Sequence, residues 1–244
     1  MKRVIVILTL AAIPLFPLAA QNDEMSVEES YLQESVENMI IREQSRADSR
    51  EMKMIALTYI GDAIDRGNTS NEVRQALEYL GLEGVLNRGR EIGRLVNNFP
   101  DVRREAARYL GEMGKKGNAE AKDTLLKIVY YDNEPMVLQE AVKSLADIGN
   151  DDNGKTVSTI VWILQKFDNT NPDNLLALSA IEAFEKLGAS NDGIKDPNVI
   201  QMLIRIAEGP YIRPVQERAK SVLGKIRLTQ AQSSKQQQQQ RQQQ

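Results

Sequence analysis

Apolar residues recur along this chain in steps of four, four and three. The aligned sets are Val102/Ala106/Leu110/Met113, Val137/Ala141/Leu145/Ile148, Leu176/Ala180/Phe184/Leu187 and Val215/Ala219/Leu223/Ile226. Such spacing places four side chains on one face of a helix. The central alanines lie 35, 39 and 39 residues apart. That period suits stacked helix pairs, because one pair alone cannot bury its apolar face. Met52/Ala56/Ile60/Ala63 keep the same steps and predict a degenerate first unit on a helix over 50–65, with 71–80 as its partner. The second helices of later units are predicted over 119–130, 155–167 and 198–207, and the middle one is apolar on more than one side.

Punctuation supports this division. Ser26-Val27-Glu28-Glu29 has the Ser-x-x-Glu form of a helix start, followed by an amphipathic run ending near Gln44. Pro100, Pro135, Pro172 and Pro214 each precede a central alanine by five to eight residues, as expected of first-turn prolines. Gly114, Gly149 and Gly188 follow three of the helices and are predicted to be left-handed caps; Arg227 holds that place in the last unit.

Pro100-Asp101-Val102-Arg103 with Ala106-Ala107, Leu110-Gly111 and Gly114 resembles a HEAT repeat, and the other units keep the alanine and the large aliphatic residue. The resemblance covers about residues 48–228 and implies an all-α protein, an α-solenoid of about four to five HEAT-like helix pairs. It also implies a protein-binding surface with no family-wide catalytic residues. HEAT-like proteins that act on tetrapyrrole-bearing partners or on DNA bases keep an alternative open: an enzyme or cofactor-handling protein working through carboxylate and Arg residues of a groove.

The ends change the picture. Lys2 and Arg3, an apolar run over 4–18 and Leu18-Ala19-Ala20 read as a signal peptide, residues 1–20, with a cleavage site. The run is short for a bilayer span and is broken by Pro14 and Pro17. The expectation is therefore an exported protein, periplasmic, cell-envelope associated or secreted, with no membrane span after cleavage. Together with the repeats and the tail, this looks like an exported bacterial HEAT-repeat protein. Residues 21–47 are expected to form a capping helix, and the Gln-rich stretch 229–244 a disordered tail, since it has too little apolar area to offset its ordering.

Composition narrows function further. The chain holds no Cys and no His. This removes Cys/His zinc sites, Ser-His-Asp and Cys-His hydrolysis, and disulfides. The formal charge of −3 becomes more negative once Lys2 and Arg3 are cleaved, which disfavours nucleic acid as a partner. Asn150-Asp151-Asp152-Asn153-Gly154 lacks the order of a calcium loop and reads as a turn with helix caps, as does 168–171. No cofactor, metal or catalytic residue is expected. The partner is a protein or peptide, and charged first and last helices predict a monomer by itself.

One stretch departs from the repeat. The step from Ala56 to Ala106 is 50 residues, and the excess falls in 81–100, where Gly81, Gly84, Gly89 and Gly93 favour a folded-back extended loop over a helix. Long ordered loops on a scaffold are frequent binding elements. Arg88, Arg90, Arg94, Arg103, Arg104 and Arg108 crowd this region. They are the candidate partner-binding residues, with internal stapling between units as the competing reading. Trp162, the only Trp, lies in the most apolar helix, which favours an inter-repeat or core role over a binding anchor; Tyr130-Tyr131 are candidates for partial exposure.

Overall fold

The computed structural model describes residues 26–242 apart from 150–152, 191–192 and 195. The segment 1–20 expected to be a signal peptide, the first residues of the turn expected at 150–154 and the last two glutamines lie outside the described residues. The described chain forms ten helices and one short hairpin: α1 (Val27–Ser45), α2 (Arg50–Asp65), α3 (Asn71–Leu82), β1 (Arg90–Glu91), β2 (Arg94–Leu95), α4 (Pro100–Lys115), α5 (Ala119–Tyr131), α6 (Pro135–Ile148), α7 (Lys155–Thr170), α8 (Asn174–Ser190), α9 (Pro197–Glu208) and α10 (Arg213–Gln242).

The even-numbered helices pack in one layer, α2 on α4 on α6 on α8 on α10, and the odd-numbered ones in a second, α1 on α3 on α5 on α7 on α9. This is an α-solenoid: four helix pairs, α2/α3 to α8/α9, with α1 as the unpaired second helix before them and α10 as the unpaired first helix after them. The predicted four-four-three sets supply the core. All four central alanines are fully buried, with Val102, Leu110, Met113, Leu145, Leu176, Phe184 and Val215 around them. Ser26 accepts from the Glu29 backbone and Glu29 returns the contact to Ser26, so the N-terminal capping box is formed.

Three expectations are corrected. Only Gly149 is a left-handed cap, at φ 76°. Gly114 and Gly188 lie inside α4 and α8. Gly114 faces Ile148 and Gly188 faces Ile194, so these positions answer to close packing rather than to chain reversal. Pro172 stands two residues before α8, where the Asp173 side chain takes the Leu176 amide at 2.7 Å and provides the start. Finally, residues 229–242 continue α10 instead of forming a disordered tail. Gln, Lys, Arg and Ala are good helix formers, and a helix already nucleated by a packed stretch extends without a new nucleation cost.

Small residues let the even-numbered helices approach closely. A Cβ on Gly111 would stand 2.6 Å from Ser144 Oγ and 3.2 Å from its Cα on the facing α6. Gly111→Ala is therefore expected to destabilise by about 1–3 kcal/mol despite the better helix propensity of Ala. Thermal unfolding measures it directly; an unchanged or raised midpoint would contradict the close approach.

Candidate functional site

The inserted segment is a projecting hairpin. After α3 the chain turns at Gly84, φ 76°, where a Cβ would meet the Asn97 carbonyl oxygen at 2.5 Å, so the close approach of the two limbs requires glycine. Asn97 ties the base: Gly89 N–H donates to its Oδ1 at 2.8 Å and its Nδ2 donates to the Asn87 carbonyl at 2.7 Å. Arg90 pairs with Leu95 and Glu91 with Arg94. The expected folded-back extended loop is thus found, and Ile92-Gly93 form its two-residue turn.

Two buried ion pairs anchor it. Arg103 on α4 meets Asp132 at 2.6 Å, each side chain 2% exposed. Its Nη1 also donates to Asn98 Oδ1 at 2.7 Å and to the Glu83 carbonyl at 3.4 Å, gripping both ends of the hairpin. Asp132 further accepts the backbone amides of Asn133 and Glu134. Lys53 on α2, fully buried, sits 2.7 Å from Glu83 and donates to the Ser45 carbonyl. The Tyr79 hydroxyl donates to Glu83 as well, and burial followed by that carboxylate raises the phenol's pKa.

The six arginines separate accordingly. Arg103 is a buried staple, which removes it from the partner-binding set: its donors are consumed inside the protein. Arg108 pairs with Glu105 at 2.5 Å and lies over the Tyr109 ring, on the flank of α4. Arg104 is exposed on α4, and Arg94 belongs to β2. Arg88 and Arg90 stay with the hairpin and line a shallow pocket of about 190 Å³ with Val85, Leu95 and Glu134, floored by Arg103 and Asp132. Arg88 Nε bonds the Val85 carbonyl at 2.9 Å and the Arg90 side chain is exposed.

The turn residue was not singled out by sequence reasoning. Ile92 has φ 47° and is fully exposed. A β-branched side chain in the left-handed region is strained, by roughly 1–3 kcal/mol, and gains no burial in return. A tight turn of this kind is usually filled by Asn-Gly or Asp-Gly, and an Ile-Gly pair carries no such signal. Leu86 and Val96 leave further apolar surface exposed on the same hairpin.

A second surface runs along the odd-numbered layer. α3, α5 and α7 border a groove of about 680 Å³ lined by Glu78, Leu126, Tyr130, Tyr131, Lys155 and Thr159. Trp162 is half-buried and stacks on Tyr130 of the preceding unit, with centroids 4.4 Å apart and rings within 5° of parallel; Lys166 lies 5.4 Å from the Trp162 ring. Its role is inter-repeat, and both tyrosines are exposed. Lys127, with Arg74 behind it, holds the Glu78 carboxyl below its ordinary pKa against the burial that would raise it.

Among the described residues no group of three or more Asp and Glu side chains could hold a metal ion, and no helix is long and apolar enough to cross a membrane. Residues 93–162, from the hairpin turn to Trp162, match a family profile described as HEAT repeats, which supports a HEAT-repeat protein. Comparison with curated proteins and with solved structures gives no match.

Proposed function

We propose that this chain is a non-catalytic protein-binding scaffold, exported from the cytoplasm by its N-terminal signal, that presents the hairpin to an envelope protein or peptide. Repeat scaffolds of this kind are often used for protein interaction, and the observation that carries the choice of surface is Ile92. An exposed aliphatic side chain held in a strained turn, on a base clamped by two buried ion pairs, has no stabilising role in the chain itself. It fits an anchor for a partner's apolar pocket, and Arg88 and Arg90 beside it favour an acidic rim on that pocket. Support for export lies in Lys2, Arg3, the apolar run and Leu18-Ala19-Ala20.

In-cell photo-crosslinking with the reactive group at Arg90, and at exposed Lys143 on α6 as control, tests this reading. Capture of one envelope protein from Arg90 but not Lys143 is the expected result. Capture only from a Tyr130 position would move the interface to the groove between α3, α5 and α7. A paired substitution separates binding from folding. Ile92→Gly is expected to raise stability by about 1 kcal/mol, by relieving the left-handed strain, while lowering capture at least tenfold. Thermal unfolding and crosslink yield measure the two effects; undiminished capture by Ile92→Gly would remove Ile92 as the anchor.

A further inference from the structure

Tyr130 and Tyr131 end α5 with 54% and 48% of their surface exposed. Their rings meet edge to face, centroids 5.6 Å apart, and Tyr130 is held flat by its stack on Trp162 of the next unit. A ring fixed in this way costs a partner little to order, so the surface is preorganised for contact. Among the described residues neither phenol hydroxyl has a hydrogen-bond partner, and neither does the Trp162 indole N–H.

The groove that these tyrosines line pairs its own charges. Arg74 reaches Glu78 at 2.9 Å and Glu120 at 2.6 Å, Lys127 reaches Glu78 at 2.6 Å, and Lys155 stands 3.4 Å from Asp123. Three cations thus face three carboxylates, and the lining is neutral. Thr124 and Thr159 donate their hydroxyl protons to carbonyls of their own helices. What remains is aromatic surface over Leu126, with hydrogen-bond donors that lack acceptors.

We infer that this groove is a docking site for a neutral, proline-rich segment of a partner protein in the polyproline II conformation. A charged segment has to break ion pairs already made. An ordinary extended peptide, or a glycan, brings donors of its own, and each carboxylate of the lining already faces a cation. A proline-rich strand brings carbonyl acceptors and no backbone N–H, the counterpart of the free phenols. Its pyrrolidine rings pack against aromatic side chains, and the strand is stiff before it binds. Length agrees as well. Adjacent helices pack about 8–10 Å apart, so a ligand crossing from α3 to α7 spans about 20 Å. A strand rising about 3.1 Å per residue covers that span in about six or seven residues. The site belongs to the odd-numbered layer and does not use the hairpin turn.

Trp162, the only Trp of the chain, reports on the site directly. Its fluorescence in the purified protein, titrated with decaproline, is expected to change and saturate with a Kd below about 1 mM. A Gly-Ser decapeptide should leave it unchanged. Tyr131→Ala should weaken binding at least tenfold with unchanged thermal unfolding, because the side chain is exposed and its ring contact is to Tyr130 alone. Tyr131→Phe keeps the ring and loses the donor, and should weaken binding roughly threefold. Ile92→Gly should bind decaproline as the native chain does, which tells failure of the hairpin reading apart from failure of this one. No saturable response to decaproline, an equal response to the Gly-Ser peptide, or binding undiminished in Tyr131→Ala would overturn the proposal. A response to chitohexaose and not to decaproline would also overturn it, assigning the groove to a glycan.

Discussion

Arg103→Ala is expected to cost about 3–5 kcal/mol of stability, because it leaves the Asp132 carboxylate buried without its guanidinium. For a folded region of this length the loss corresponds to a fall in Tm of roughly 10 °C. The damage extends to the hairpin. Asn98 and the Glu83 carbonyl lose the donor that holds the two limbs together, although Lys53 still grips the Glu83 side chain. Trypsin should consequently cut faster at Arg88, Arg90 and Arg94 in the variant than in the native protein. The double variant Arg103→Leu/Asp132→Leu divides the two roles. Replacing both charges with aliphatic side chains is expected to recover much of the stability, since no unpaired charge remains buried. It cannot recover the latch on Asn98, so hairpin proteolysis should stay fast. A native-like Tm for Arg103→Ala would show that the pair contributes little and that the hairpin is held by Asn97 and Lys53 alone.

The contrast between that latch and the repeat explains what could be read from the residues. The layer of even-numbered helices was visible because its signal is local: Val137, Ala141 and Leu145 lie within three turns of one another and repeat in the next unit. The start at Ser26 and the bounds of α2 are local in the same way. Arg103 was visible as an arginine in a basic stretch, but its partner Asp132 lies 29 residues away at the end of α5, and nothing near Arg103 in sequence distinguishes a buried staple from an exposed contact. Gly114 and Gly188 misled for a related reason. A glycine near a helix end signals a cap when only the chain is considered, whereas here the facing Ile148 and Ile194 set the need for it. The turn at Ile92-Gly93 carried no Asn or Asp to announce it, and the exposed stripe of α1 was hidden among the acidic residues that border it. Features decided by neighbours in space, at the hairpin base and on the exposed face of α1, are the ones that local spacing does not reveal.

Ala141→Glu is expected to be the most damaging single change, at about 4 kcal/mol or more. Ala141 is fully buried on α6, in the middle of the stack. A glutamate there adds volume where close-packed helices leave none, and it carries a carboxylate with no cation placed to meet it. Because each unit of a solenoid is supported by its neighbours, loss of the central one should also uncouple the units on either side. The expected thermal transition is lower and broader than that of the native chain. Hydrogen exchange should be fastest in α5 to α8 and less affected in α1 to α3. Lys143→Glu, two residues away on the exposed side of the same helix, makes a larger change in charge and breaks only a contact to Glu140 at 3.8 Å, so it should shift stability by no more than about 0.5 kcal/mol. A large gap between the two variants is the signature of burial. Equal effects would mean that helix propensity or net charge, and not the stacked face, governs the stability of this unit.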